Sequence, residues 1–366
     1  MQNLFKLWIT ILSLGVLLGL YAVFQILTIG HGELANTTQL LPWGLQVSTY
    51  IYLALTSTGC SFVYCLATLG GVDKLKPIVP RAVLLALLTI IAGFTSLSLE
   101  IGRLERLAIE FMLNPNFTSP MWWMGVFYTM YIVVLMIELA AMIFHIEWLM
   151  KVGSVAVLIT AIAGHSTLGS VFGVLEGRGY GFGALTPIYF LMMAFLGGAS
   201  LILLVSCLIS IFKGSNKEFD EAVTTLRKVF MIAIGIVFIS SIWRYVVGVW
   251  VSNPYYDLFE IGFKKFLIFS IFLGMIIPLL IVVFQKKAGA ILALAPLIVL
   301  VIRFIDRNTL IVGIQQIPLL QGVWEPAILP YTPAAIEIFV VIFVMSLIGL
   351  IFSIVEKKGL LEKIPH

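Results

Sequence analysis

The chain has 366 residues, of which 61% are hydrophobic and only 11% are charged, and its formal net charge is +4. The charged fraction is roughly half that of a soluble globular domain, so the composition excludes a water-soluble enzyme and indicates a protein embedded in the lipid bilayer. In a membrane chain a small positive charge reports loop orientation, and it does not imply a nucleic-acid partner.

Apolar runs of about 20 residues, long enough to cross the hydrocarbon core, recur along the chain between turn signals such as Pro42-Trp43-Gly44. The pattern predicts a single integral membrane domain, residues 1–366. The fold class we expect is an all-α polytopic transmembrane bundle of about ten helices, arranged as two four-helix bundles plus flanking helices. The predicted helices lie near residues 8–29, 44–69, 80–100, 121–143, 149–173, 185–212, 227–250, 260–284, 288–305 and 334–355.

Lysine and arginine concentrate on one side of these helices. Fourteen of them lie on the side that carries both chain ends, against five to seven on the opposite side. Cytoplasmic loops carry an excess of these residues, so both termini are predicted to lie at the cytoplasmic face of the cell membrane. The two long connections, residues 101–120 and about 305–333, then face outward and would provide the landing surface for a partner subunit.

Ionisable side chains within the predicted helices are few, and each costs at least about 2.5 to 3.5 kcal/mol in hydrocarbon, so each requires a partner or a role. By chain direction, Glu138 lies toward the cytoplasm and the others lie in the outer half. Arg303 and Asp306 are predicted to end the ninth helix. The full set is Glu100, Arg103, Glu138, His165, Arg244, Arg303, Asp306 and Glu337.

Three of these residues are open to both a structural and a functional interpretation. Glu100 and Arg103 are three residues apart and could form a plain ion pair at a helix end. Glu138 has no cation in its own helix and lies in a wholly apolar segment, which favours a proton-exchanging group. Further candidates for a proton pathway are Arg244, Arg303 and Asp306.

His165 stands among small residues that let another helix or a flat ligand approach, and an interhelical hydrogen bond would explain it equally well. A membrane b-type haem usually needs two histidines at depth, and only His165 lies there, so we expect no haem. The cysteine spacing matches no metal site, so no metal is expected in this chain. Trp123 belongs to an aromatic cluster that is either an interfacial belt or a wall of a quinone pocket.

Four short sequence motifs occur in a characteristic order along the first half of the chain. They are Pro42-Trp43-Gly44, Leu99-Glu100-Ile101-Gly102-Arg103, Thr118-Ser119-Pro120-Met121-Trp122-Trp123 and Gly164-His165-Ser166-Thr167-Leu168-Gly169-Ser170. Together they resemble the polysulfide reductase membrane-subunit (NrfD) family. The end of the chain is similar to the ten-helix branch of that family, so the resemblance spans nearly the whole chain. The residues concerned there are Arg303, Gly313-Ile314-Gln315, Tyr331-Thr332-Pro333 and Glu337.

The resemblance implies a membrane subunit that exchanges electrons between the quinone pool, with menaquinone expected, and a ferredoxin-like iron–sulfur subunit on the outer face. Further redox subunits of the complex would carry the terminal chemistry. A quinone site needs an apolar pocket with polar groups near the two ring oxygens. The residues expected there are His165, Glu100, Arg103, Glu337 and Trp123, and Glu138 would link the pocket to the cytoplasm.

Within the family, the chain resembles the membrane subunit of the sulfite-reduction-associated Dsr complex, and the alternative is the membrane subunit of periplasmic nickel–iron hydrogenases. A function of another class, a secondary transporter, also suits intramembrane Glu and His residues. Against a transporter, no inverted repeat is visible and the polar residues cluster toward one face. A purely structural anchor would need none of the costly buried charges.

Overall fold

The computed structural model describes residues 2–102, 109, 111–178, 181–250, 268–318, 328–362 and 364, and no strand occurs within these ranges. The prediction of an all-α polytopic bundle is confirmed. The main helices within these ranges are α1 (Gln2–Ile29), α2 (Leu45–Thr68), α3 (Val79–Ile101), α4 (Pro120–Ile143), α5 (Glu147–Gly173), α6 (Thr186–Phe212), α7 (Lys217–Trp250), α8 (Ile268–Phe284), α9 (Ala290–Gln316) and α10 (Ala335–Lys357).

Eight of the helices in the described ranges, α1 to α7 and α10, are long and apolar enough to cross a membrane. Helix α8 is apolar but shorter, and it contains a π-helical turn, Phe272–Ile276, directly before Pro278. Proline has no backbone N–H to donate, and a π turn beside it is a common adjustment of the helix to that missing hydrogen bond. The protein is therefore a multi-pass membrane protein.

Helix packing divides the chain into two four-helix groups and one flanking pair. Helices α2 to α5 form the first group and α6 to α9 the second, while α1 and α10 pack on each other and α10 also contacts α3 and α2. Helix α2 is the centre of the whole bundle, because it is mostly buried and packs against both groups. Its contact with α6 joins the two groups.

Helix α9 is longer than the predicted ninth helix, which ended at residue 305. It continues to Gln316, so Arg303 and Asp306 lie near its middle, and the prediction that they end the helix is wrong. The polar residues from Arg303 onward look like a loop in sequence. They are helical because Arg303, Asp306 and Arg307 are buried against neighbouring helices.

Helix α7 begins at Lys217, ten residues before the predicted start at residue 227. The extra turns carry charges on one side, and Lys74 pairs with Glu221 at 3.9 Å there. The other side buries Phe219, Ala222, Val223 and Leu226. An amphipathic start of this kind lowers the mean hydropathy, which is why the sequence pattern placed a loop there.

Candidate functional site

Two carboxylates meet at the start of α2, at the end of the bundle opposite both chain termini, which we call the distal end. Glu100 Oε1 accepts the Gly44 N–H at 2.7 Å, and its Oε2 accepts the Val47 N–H at 2.9 Å. Glu337 Oε1 accepts the Leu45 N–H at 3.3 Å. The first N–H groups of a helix lack intrahelical partners and form the positive end of its dipole, so both carboxylates are stabilised there.

Tyr331 completes this cap. Its hydroxyl donates to Glu337 Oε1 at 2.5 Å and accepts the Leu45 N–H at 2.8 Å. Burial raises the pKa of Tyr331, and the hydrogen bond and negative charge of Glu337 raise it further, so the phenol keeps its proton and remains a donor. Glu337 Oε2 accepts the N–H of Ala334 at 2.8 Å, which also caps its own helix α10.

The Pro42-Trp43-Gly44 segment lies beside a cavity of about 430 Å³ at the distal end. Gln315 holds this segment, because its Oε1 accepts the Trp43 N–H at 2.9 Å and its Nε2 donates to the Trp43 carbonyl at 3.0 Å. Arg178 Nη1 donates to the carbonyls of Ile314 and Ile317 at 2.6 Å each, which closes the end of α9. Trp43, Gln315 and Arg178 all line the cavity.

His165 is fully buried in α5, where the two four-helix groups meet. Its Nδ1 lies 2.8 Å from the Tyr128 hydroxyl and 3.3 Å from Thr58 Oγ1, while its Nε2 has no hydrogen-bond partner among the described residues. Two neighbours therefore fix the orientation of the ring, and one polar ring atom remains unpaired. Buried polar atoms without partners are rare in native proteins, and each requires an explanation.

A line of aromatic rings joins the distal cavity to His165. Trp43 contacts Phe172 edge-on at 5.9 Å between ring centroids, and Phe172 stacks on Phe190 at 5.7 Å. The Phe190 ring lies 6.3 Å from the His165 ring, and the Arg307 guanidinium lies 5.1 Å from the centroid of the same phenylalanine. Packed aromatic rings thus lead from the cavity to an oriented imidazole.

Hydroxyl groups continue from His165 toward the end of the bundle that carries the chain termini, the terminal end. The Tyr131 hydroxyl lies 3.0 Å from Ser57 Oγ and 2.7 Å from Ser61 Oγ, on the face of α2 that also holds Thr58. One turn further, Tyr64 donates to Glu138 Oε1 and also contacts Ser154. The Tyr64–Glu138–Ser154 cluster and His165 therefore lie along one polar track inside the first helix group.

The Glu138 carboxylate is fully buried, and its Oε2 has no partner among the described residues. Gly153 of α5 leaves the space for that oxygen, because a Cβ at this position would overlap Oε2. From the sequence, Glu138 was expected in an apolar setting without a cation in its own helix. In the structure the Tyr64 hydroxyl donates to the carboxyl group, and the missing side chain of Gly153 leaves space for it, so the carboxyl group is held in one place.

The other predicted proton-pathway residues lie in the second helix group. Asp306 accepts from Arg307 Nη2 at 2.6 Å and lies 3.8 Å from Arg303 Nη1. Arg244 is near enough to act electrostatically on Asp306, and its guanidinium lies 4.6 Å from the Tyr189 ring centroid. These residues form an arginine cluster around one carboxylate, separate from the Glu138 track.

The predicted quinone residues that the structure describes lie in three separate places. Glu100 and Glu337 share the cap of α2, but His165 contacts Thr58, which is eleven residues beyond Val47 and hence about 16 Å deeper along the helix. Trp123 donates its indole N–H to the Phe117 carbonyl at 2.9 Å and stacks on Phe127 in a separate aromatic group. Arg103 lies outside the described residues.

Several residues of the site carried no role in the predictions from sequence. Tyr128 and Tyr131 precede Glu138 at positions that face the same side of α4, and all three are fully buried. A stripe at this spacing marks the buried face of a helix, so the periodicity of α4 contained a usable signal. Gln315 and Tyr331 lay in a segment predicted to be a loop, where no periodicity could reveal them.

Within the described part of the chain, no group of three or more His, Cys, Asp or Glu residues could hold a metal ion. Comparison with known proteins matches residues 33–318 to the family described as polysulphide reductase, NrfD. The chain is also 25% identical to a selenate reductase subunit of Mesobacillus selenatarsenatis, over 95% of this chain and 92% of that protein. It is 26% identical to the Hdr-like menaquinol oxidoreductase integral membrane subunit of Archaeoglobus fulgidus, over 94% and 91% of the two chains.

Proposed function

This chain belongs to the NrfD polysulphide reductase family, and on that premise we propose that it is the quinone-interacting membrane subunit of a respiratory oxidoreductase complex. It would exchange electrons between a membrane quinone, with menaquinone as the proposed species, and an iron–sulfur subunit docked at the distal end. The two relatives support this role, because both are named as subunits of reductases or oxidoreductases and one of them is named for menaquinol.

The observation that carries the proposal is the oriented, buried imidazole of His165. When Nδ1 accepts the Tyr128 hydroxyl hydrogen, Nε2 carries the ring hydrogen and can donate to a quinone carbonyl. With the opposite tautomer, Nε2 can accept the hydroxyl hydrogen of a quinol. A single unpaired nitrogen thus suits both redox forms of the ligand, whereas a purely structural histidine would have both ring nitrogens paired.

The surroundings of His165 fit a flat ring with a polar edge. Phe172 and Phe190 offer apolar faces, and the distal cavity beside Trp43 gives an approach from the end of the bundle. Ligand sites are typically apolar pockets with a few placed polar groups. The Arg307 guanidinium packs on the Phe190 ring, and its positive charge would stabilise a ring oxygen that becomes negative on reduction.

Glu100 and Glu337 act in this proposal as positioning residues. Their oxygens already accept backbone N–H groups at the start of α2, so they hold the Pro42-Trp43-Gly44 segment that forms the cavity wall. Trp123 stays with its own aromatic group near the start of α4, in keeping with an interfacial belt.

Oxidation of a quinol releases two electrons and two protons, so a quinone site needs an acceptor for protons. We propose that His165 and the hydroxyls of Tyr128 and Tyr131 lead protons to Glu138. The unpaired Glu138 Oε2 supplies the next acceptor toward the terminal end. The Arg244, Arg303 and Asp306 cluster would set the local potential in the second helix group, and any proton movement it supports would follow a separate route.

The distribution of positive charge supports one orientation of the protein in the membrane. The sequence pattern assigns fourteen Lys and Arg residues to the side of the chain termini, so we propose that the terminal end is cytoplasmic and the distal end faces outward in the cell membrane. For the terminal substrate, we propose a sulfur oxyanion such as sulfite. The relative named for selenate supports this class, because selenate and sulfite are both oxyanions of group 16 elements.

The test uses the whole complex, with its partner subunits, in membranes supplied with a soluble menaquinol analogue. His165→Phe keeps a ring in the same space but removes its hydrogen bonds, and we expect quinol oxidation to fall by about tenfold or more. The matched control is His145→Phe, because His145 is exposed at the turn between α4 and α5. Full activity of His165→Phe in an assembled complex would refute the site.

A further inference from the structure

A second cavity, of about 720 Å³, lies at the terminal end between α1, α2, α3, α6 and α10. It lies on the opposite side of α2 from the quinone site proposed above, because Thr56 lines the cavity whereas Thr58, two residues further along the helix, contacts His165. Its walls are mainly apolar, and Leu53, Leu85, Leu204, Leu208 and Phe352 are typical of them. A large apolar cavity holds water poorly, because its walls give water too few hydrogen bonds. An apolar occupant is therefore favoured.

The cavity has the depth of one membrane leaflet. Its wall along α6 runs from Leu201 to Lys213, the residue directly after the helix, and its wall on α10 runs from Met345 to Lys357. Each stretch advances twelve residues along its helix, which is about 18 Å at 1.5 Å per residue. Half of the hydrocarbon core is about 15 Å thick. An acyl chain from one leaflet would fill the same depth.

Hydroxyl groups on the inner wall are largely bound to their own helices. Thr56 Oγ1 donates to the Tyr52 carbonyl at 2.8 Å, and Thr89 Oγ1 donates to the Leu85 carbonyl at 2.7 Å. The Tyr52 phenol adds one hydroxyl to the wall, but a quinone ring would need polar groups near two oxygens. The inner part of the cavity therefore suits a hydrocarbon chain better than a quinone head.

The mouth of the cavity is basic. Lys6, Lys213 and Lys357 line it together with Glu356. The Glu356 carboxylate is already satisfied, because Arg81 donates to it at 3.0 and 2.9 Å and Lys213 donates to it at 2.9 Å. Lys6 and Lys357 form no ion pair among the described residues, and Lys357 Nζ lies 5.2 Å from the centroid of the Phe5 ring, a contact that does not neutralise its charge. Two cations thus remain available at the depth of the lipid head groups.

We propose that this cavity binds an anionic phospholipid, with one acyl chain between α6 and α10 and the phosphate beside Lys6 and Lys357. Trp8 supports this depth, because its indole N–H donates to Ser353 Oγ at 3.1 Å and tryptophan concentrates at the membrane interface. Charge selects the lipid class, since a zwitterionic head group gains less from two lysines than an anionic one.

The test measures phospholipid bound to the full-length protein in mild detergent by native mass spectrometry, with added phosphatidylglycerol or phosphatidylcholine. We expect one tightly bound phosphatidylglycerol per chain. Each lysine near a membrane surface strengthens anionic lipid binding roughly fivefold, so the double variant Lys6→Gln with Lys357→Gln should bind it about 25-fold more weakly. Leu204→Trp should displace the lipid by filling the cavity without changing the charge.

The matched control is the pair Lys286→Gln with Lys287→Gln, two exposed lysines at the same end that do not line the cavity. It should bind phosphatidylglycerol like the unmodified protein. Equal binding by both lysine pairs, retention of lipid by Leu204→Trp, or equal binding of phosphatidylcholine would overturn the proposal. Displacement of the phospholipid by an added menaquinone would also overturn it, without bearing on the His165 site.

Discussion

Gly59 of α2 and Gly198 of α6 pack backbone to backbone at the junction of the two four-helix groups. A Cβ on Gly59 would overlap the backbone of Ala194 and Gly198, and a Cβ on Gly198 would overlap the backbone of Gly59 and Cys60. Close helix crossings in membranes typically rely on such small residues. This contact sets the distance between His165 in the first group and Phe190 in the second.

Gly198→Ala should therefore destabilise the protein by about 1 to 3 kcal/mol, because backbone atoms cannot move aside as flexible side chains can. The control is Gly235→Ala in α7, where a Cβ meets no atom within 4 Å. There alanine should be neutral or stabilise the helix by about 0.5 to 1 kcal/mol. Thermal unfolding in detergent measures both variants, and equal unfolding temperatures would contradict the close packing.

Gln315→Leu should weaken the distal end. The substitution leaves the N–H and carbonyl of Trp43 without their partners, and each unsatisfied buried group costs about 1 to 3 kcal/mol. Gln316→Leu is the neighbouring control, because the Gln316 side chain donates one hydrogen bond, to the Leu329 carbonyl, from a less buried position. We expect a larger loss of thermal stability and a higher KM for quinol in Gln315→Leu. Similar losses in both variants would contradict the role of Gln315 in holding Trp43.

Glu138→Gln tests the proton track. The amide keeps the size of the side chain but cannot take up a proton, so proton release into sealed vesicles should drop about tenfold. Electron transfer from quinol should slow as well, because oxidation of the quinol releases its protons to this route. Tyr64→Phe removes the donor to Glu138 Oε1 and should give a smaller effect. The control Glu147→Gln removes an exposed carboxylate at the same end of the bundle. Unchanged proton movement in Glu138→Gln would remove this residue from the mechanism.

Mild acid should loosen the distal end through His31. Burial lowers the pKa of His31, although its contact with Gln46 and the charge of Glu337 oppose the shift. Between this lowered pKa and about 6.5, the unfolded chain binds more protons than the folded one, so stability falls as the pH drops through that window. The stabilising contribution is fully present above about pH 6.5. His31→Gln should make the unfolding temperature fall less between about pH 7 and 5. The control His145→Gln should leave this fall unchanged. An equal fall in the unmodified protein and both variants would show that His31 does not cause it.

The helices themselves were predictable, because a run of about 20 apolar residues has few alternatives to a membrane helix. Which helices pack against each other was not predictable, since helices that are apolar on all sides have no single apolar face that marks the side of contact. Sequence position placed His165 and Glu100 in the same half of the bilayer. The residues of α2 that they contact, Val47 for Glu100 and Thr58 for His165, lie about 16 Å apart along the helix, and chain direction gives depth too approximately to predict this.

Buried polar residues near helix ends were the hardest part of the site to predict. The segment from Arg303 to Gln315 is polar enough to resemble a loop, and its helical state depends on partners in other helices that no local pattern reveals. Gln315 and Tyr331 were visible as parts of familiar strings, but their role depends on bonds to Trp43 and Leu45, which lie far away in sequence. By contrast, Glu138 was identifiable on its own, because a lone carboxylate in an apolar helix is conspicuous.

The pairing of α1 with α10 has a consequence for biogenesis. Gly15 and Gly19 of α1 face Ser346 and Phe343 of α10, and α10 is the main helix that α1 contacts in the described part of the chain. During synthesis α1 therefore lacks this partner until α10 has been made. Glu337 reaches the start of α2 only at that moment. The distal cap would thus close only after α10 has been made, so a chain that stops before α10 cannot form it.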